Sequence, residues 1–136
     1  MNTAVRDMLA AHPADLGGVD RDKLAHCIEE CVACAQACTA CADACLSEEM
    51  VAELTKCIRT DTDCADICAA TAAVLSRHTG YDANVTRAVL TACATVCKAC
   101  GDERASHAEQ HEHCRVCAEA CRRCEEACND LLASLG

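Results

Sequence analysis

Residues 27–45 read CIEECVACAQACTACADAC, and their spacing decides the fold. Cysteine falls at Cys27, Cys31, Cys34, Cys38, Cys41 and Cys45, in steps of four, three, four, three and four. Those steps trace one face of an α-helix, with cysteine where a heptad seam usually places leucine. The alanines between them (Ala33, Ala35, Ala37, Ala40, Ala42 and Ala44) are strong helix formers, and no glycine or proline interrupts the stretch. Side chains three or four apart on a helix have Cβ atoms about 5–6 Å apart. The face is therefore a ladder of sulfur whose neighbouring rungs can share a metal ion.

The same face recurs along the chain. A short helix over 3–11 stops at Pro13, and DLGG follows as a linker. Asp20 is placed to cap a helix over 21–45. Ser47, with Glu48 and Glu49 in the first turn, predicts a second helix to about 78, closed by Gly80 as a left-handed cap. Asp82 caps a third helix to about 104, and Ser106 to Glu109 forms a capping box for a fourth, to about 133. The second carries Cys57, Cys64 and Cys68, with Asp61 filling the missing rung. The third carries Cys93, Cys97 and Cys100, and the fourth Cys114, Cys117, Cys121, Cys124 and Cys128. Long helices with short connections predict an all-α, antiparallel up-down-up-down four-helix bundle with a short N-terminal helix. Residues 1–19 are then helix and linker, and 20–136 a bundle with a Cys-lined core.

Antiparallel order gives this bundle two unlike ends. One gathers Leu24, Val74, Leu75, Val85, Val89, Leu131 and Leu132 as an apolar plug. The other gathers Cys45, Met50, Cys100, His107, His111 and His113, an end open to metal entry. His107 and His111 continue the inward stripe above Cys114. His113 lies off it, where a solvated histidine is an equal reading, and Met50 reads first as a core methionine. His26 falls on a flank, and His12 and His78 take no role.

Composition narrows the chemistry. The chain has 136 residues, enough for one domain, with no Phe, no Trp and a single tyrosine, Tyr81. Its net charge of −10 excludes nucleic acid and anionic membrane as natural partners. No apolar run reaches the roughly eighteen residues of a membrane span. Seventeen cysteines is an odd number, so disulfides cannot pair them all. MNTAVRDMLAAHPADLGG has charges at Arg6 and Asp7 and no apolar h-region, which predicts a reducing, cytoplasmic setting where thiols serve metals.

A buried thiolate is costly unless a cation neutralises it, so these thiols are either protonated or loaded. Soft sulfur selects Cu(I), Zn²⁺ or iron–sulfur clusters. The ferredoxin run with its proline is absent, and no strand supports a thioredoxin-type CxxC. A uniform ladder offers no isolated set of four for structural zinc. One monovalent ion per thiolate also keeps a long apolar channel near neutrality, so the charge balance favours Cu(I), many ions per chain. A zinc or heavy-metal thiolate buffer and a thiol-redox or disulfide-stabilised interaction bundle are the alternatives.

The CxxxCxxC ladders and the histidine cluster opening the last helix resemble the cytosolic copper storage proteins, over about 20–133. The resemblance implies a non-enzymatic, preformed bundle storing many Cu(I) ions along its core, as a homotetramer. It implies core ligands at Cys27, Cys31, Cys34, Cys38, Cys41, Cys45, Cys57, Cys64, Cys68, Cys93, Cys97, Cys100, Cys114, Cys117, Cys121, Cys124 and Cys128. His107, His111 and His113 match the family's mouth residues. Asp61 departs from the pattern, a hard carboxylate on a rung of soft thiolates, and is carried as a candidate weaker site.

Overall fold

The structure, a computed structural model, describes residues 3–135. Helix α1 spans Thr3–Ala11, α2 Arg21–Leu46, α3 Thr55–Leu75, α4 Ala83–Ala105 and α5 Glu112–Ser134, with one 3₁₀ turn at Val51–Leu54. Helix α2 packs on α3 and α5, and α4 packs on the same two, while α1 lies against α2. The sulfur contacts fix the directions. Along α2 and α5, Cys27 meets Cys128 at 3.7 Å, Cys34 meets Cys121 at 3.8 Å and Cys38 meets Cys117 at 3.7 Å, so one helix advances as the other retreats. Cys64 with Cys97 and Cys68 with Cys93 show the same reversal between α3 and α4. Across the diagonal the helices run together: Cys31 meets Cys93, and seven residues on Cys38 meets Cys100, both at 3.9 Å. This is the up-down-up-down bundle that the spacing predicts.

The cap at Asp20 forms as expected, its carboxylate accepting from Lys23 N at 3.1 Å. Asp82 accepts from Asn84 N at 2.9 Å and Val85 N at 3.3 Å. Three other boundaries differ from the expectation. Ser47 ends α2, its N–H donating to Ala44 O, and the next helix begins only at Thr55. That helix also stops early, at Leu75, with Ser76 as its cap, and Gly80 (φ +64°) turns the loop that follows. Ser106 likewise closes α4 instead of opening α5: its hydroxyl donates to Glu103 O at 2.6 Å, and the capping box does not form. Helix α5 starts at Glu112 with His111 in extended backbone before it. All three have a serine in common. A serine between two helices can satisfy the carbonyls behind it as readily as the N–H groups ahead.

Every cysteine is buried and free. The apolar plug is also present but shifted on α4. Leu24, Leu75 and Leu131 are buried, whereas Val85 is 49% exposed and Val89 half-buried. Thr86 and Leu90 take the inward places, because the α4 seam runs 86, 90, 93, 97, 100, 104 in the same four-three steps as the thiols. Beyond this layer a pocket of about 180 Å³, lined by Leu16, Leu24, Leu75, Tyr81 and Leu131 among others, touches no cysteine. The leucines thus separate the thiol column from that end. On the flank, Leu9 of α1 and Leu16 of the linker join Ile28 in the core.

Leu90 is fully enclosed, and the small neighbours of this core cannot collapse around a void. Leu90→Ala should cost about 2–5 kcal/mol, read from urea denaturation of the metal-free protein. The cap deletion Asp82→Ala should cost only about 1 kcal/mol.

Candidate metal centre

Helical spacing alone would hold each sulfur beside its own neighbours. The bundle adds partners from other helices, and these outnumber the first kind. Within helices, Cys34 lies 3.8 Å from Cys38 and Cys64 3.9 Å from Cys68. Between helices, Cys68 approaches Cys97 at 3.6 Å, Cys93 at 3.7 Å and Cys124 at 4.0 Å. The small thiol side chains let the four helices approach closely enough for sulfurs to meet across the diagonal.

Sets of four donor atoms result. Cys31, Cys93, Cys124 and Cys128 form one, and Cys34, Cys68, Cys97 and Cys124 a second. Cys34, Cys38, Cys64 and Cys121 form a third, and Cys38, Cys100, Cys117 and Cys121 a fourth, the atoms of each lying within 4.8 Å of one another. These sets do exist, but none is isolated, since Cys34, Cys38, Cys121 and Cys124 each belong to two. Ions placed here would have to share sulfurs.

The other end of the column changes chemistry. Cys41, Cys45, Cys114 and His113 form a mixed set. His113 Nδ1 lies 3.3 Å from Cys41 Sγ and 3.7 Å from Cys114 Sγ. Its Nε2 lies 2.9 Å from Glu48 Oε2, and the same oxygen takes His111 Nδ1 at 3.1 Å. A carboxylate bonded to one ring nitrogen fixes the tautomer and turns the other nitrogen into a donor for metal. His113 Nδ1 then offers its lone pair to the thiols. His111 Nε2 is buried with no partner, and the two rings stack at 5.3 Å. The contact with His113 holds Glu48 below the usual carboxylate range.

The histidines divide differently from expectation. His113, placed off the stripe by spacing, is the one against the thiols, because it lies on α5 four residues before Cys117, whereas His107 and His111 precede the helix. His107 sits in the turn between α4 and α5; its backbone N–H donates to Arg104 O at 3.0 Å, and among the described residues its ring makes no hydrogen bond. Met50 is 36% exposed just before the 3₁₀ turn, so it is not a core methionine. The end is also less open than predicted. Leu54 and Arg104 are completely buried there and His111 nearly so, leaving His113 and Glu48 partly exposed.

Asp61 occupies its rung fully buried, as the spacing predicts. Its Oδ1 accepts from the Cys100 thiol at 3.1 Å and the Cys117 thiol at 3.3 Å. Its Oδ2 lies 3.0 Å from Arg104 Nη1. Arg104 and Glu48 were not anticipated as part of this site. Arg104 could have been found, since it stands seven after Cys97 on the α4 seam. Glu48 could not, because it reads as an ordinary first-turn acid.

Burial dominates the protonation of these groups. It raises the Cys45 thiol, pushes Cys57 to about 11 and pushes Cys114 to about 12. The metal-free thiols at this end are therefore neutral, and metal must displace their protons.

In words of chemistry, this is a metal-storing helical bundle, a column of soft donors inside a protein with a mixed sulfur–nitrogen cluster at one end. Comparison with known proteins agrees. The family model described as copper storage protein matches residues 20–133, and the chain belongs to that family. The copper storage protein Ccsp of Streptomyces lividans, solved loaded with 10 copper equivalents, is 78% identical, with a TM-score of 0.95 over 96% of this chain and 98% of that one. A second structure from that organism, described as a cytosolic copper storage protein with five coppers, is 81% identical with a TM-score of 0.86, over 88% of this chain and 100% of that one. Csp3 of Bacillus subtilis, solved in its apo form, is 37% identical with a TM-score of 0.65, over 79% of this chain and 96% of that one. No curated protein sequence matches.

Burial raises Asp61 to about 7 from an ordinary 3.8, with Cys100 adding to the rise and Arg104 opposing it. A carboxyl raised on folding contributes stability below its unfolded value, and that contribution is lost as pH climbs through its folded one. Metal-free protein should therefore lose stability between about pH 4 and 7. Asp61→Asn should flatten that slope, as denaturation midpoints measured across the range would show.

Proposed function

We propose that this copper storage protein holds many Cu(I) ions in the cytosol on the seventeen thiols that line its core, with His113 and His111 serving the entry end. The observation that supports this most is the overlap of the four-thiol sets. Sulfur spacings of 3.6–4.0 Å would by themselves also suit tetrahedral zinc, whose bonds to sulfur are about 2.3 Å. Charge decides between them. A zinc ion on four thiolates leaves two negative charges in a core with almost no solvent, whereas Cu(I) ions bridged by shared thiolates approach neutrality.

Loading is a proton exchange. Each ion forms Cu–S bonds as thiol protons leave to solvent, and copper stays Cu(I). His113 supplies a neutral nitrogen to the cluster with Cys41, Cys45 and Cys114, held by Glu48. Asp61 is a weaker, harder position on the same column. His107 lies in the turn over this end, where it can meet incoming ions without joining the core. Storage is assigned to residues 20–136, with α1 and the linker after it covering one flank, and the protein acts as a reservoir and not as a catalyst. Its expected assembly, a homotetramer, rests on the family resemblance. Apolar side chains at Met8, Val32 and Val116 are exposed on the single chain and available to such contacts.

Anaerobic titration of the reduced protein with Cu(I), against a chromophoric Cu(I) chelator, should show uptake of many ions per chain. Saturation at one or two ions would overturn the store. Zinc held equally well against a zinc chelator would favour the heavy-metal buffer. His113→Ala should slow uptake while leaving capacity close to that of the unaltered protein.

A further inference from the structure

Among the described residues Arg104 is the largest fully buried side chain, and it stands inside the metal column. It continues the α4 rungs after Cys93, Cys97 and Cys100, so a permanent cation holds a place the ladder would give to a ligand. Its Nη1 lies 3.4 Å from Cys45 Sγ, 3.6 Å from Cys41 Sγ and 4.0 Å from Cys114 Sγ, besides its contact with Asp61. Those three sulfurs are the thiols of the mixed cluster with His113. Asp61, on the other side of the contact, bonds the Cys100 and Cys117 thiols, which open the deep column. The guanidinium therefore stands between the entry cluster and the Asp61 rung, beside the approach of Cys41 to Cys117.

It is also loosely satisfied. Nε and Nη2 are buried without partners among the described residues, so one nitrogen makes nearly all of its contacts. A buried arginine retained only for stability normally uses its whole fork of donors. A lone cation touching neutral sulfurs instead resembles the ion that will replace it.

We propose that Arg104 is the internal gate of the copper column: a resident cation in the entry cluster that arriving Cu(I) must displace before ions reach the deep thiols. The displacement is a competition for the same sulfur lone pairs. As Cu(I) binds Cys41, Cys45 and Cys114, one S–H bond breaks for each thiolate formed, the protons pass to water and copper keeps its oxidation state. The guanidinium keeps its proton, loses these sulfurs as acceptors to the ion, and must swing off the cluster. This divides loading into a rapid stage outside the gate and a slower one inside it. Arg104 is a positioning residue here, acting on ions through the cluster and never binding them. The proposal rests on the storage reading given above.

The test is stopped-flow anaerobic loading with excess Cu(I), followed by copper–thiolate absorbance, on wild type, Arg104→Met and Arg104→Lys. Arg104→Met, similar in length and uncharged, should fill the deep thiols at least several-fold faster with little change in total capacity. Arg104→Lys keeps the cation and should keep the slow stage. Because removing Arg104 leaves Asp61 buried alone, the pair Asp61→Asn with Arg104→Met is measured alongside, with helical content checked by circular dichroism. If Arg104→Met does not fold, the paired variant decides. Equal loading rates in wild type and the uncharged variants overturn the gate, as does a lysine variant that loads as fast as methionine. A wild type that saturates at one or two ions overturns the storage reading instead.

Discussion

A thiol can be buried cheaply and a thiolate cannot, and the architecture follows from that asymmetry. As neutral thiols, cysteines pack as small apolar residues, so seventeen of them can form a core where leucine and phenylalanine would normally serve. Once metal removes their protons, they become a line of negative charge that is stable only while cations occupy it. The fold must therefore tolerate two electrostatic states with one backbone. Four long helices provide this, because their hydrogen bonds are internal and their contact depends on the spacing of the rungs.

The ends of the column resolve the charge problem in different ways. Toward Leu24, Leu75, Leu90 and Leu131 the lining becomes largely apolar, with Thr71 and Thr86 set among the leucines, and an ion gains little from entering. Toward Glu48 it becomes progressively more polar, through Asp61 and Arg104, then the mixed cluster, then the two histidines on one carboxylate. An ion coming from water thus meets oxygen and nitrogen near the surface and sulfur further in. The exchange of hydration for soft ligands is spread over several short steps instead of one barrier.

Much of this was legible in the chain. The four-three steps place every cysteine inward and put Asp61 among them, because heptad spacing survives folding unchanged. The turns were harder. Ser47 and Ser106 each sit where a serine can end one helix or begin the next, and only the path of the following residues settles which. With α5 starting at Glu112, His107 and His111 fall outside the helix and lose its stripe, while His113 stays on it four residues before Cys117 and reaches Cys41. Arg104 was missed for another reason. A charged residue near a helix end looks like a dipole or surface feature, although the same count of seven that located the thiols would have found it. The pairing of Glu48 with residues more than sixty positions away leaves no local trace at all.

The leucine layer has a consequence for retrieval. A helix rises about 1.5 Å per residue, so the rungs from Cys27 to Cys45 extend over about 27 Å. A channel of that length stopped at its far wall works as a stack. The cargo lying deepest is the last that any acceptor can reach, so withdrawals draw first on the ions nearest the entry, and a long-held reserve stays behind them.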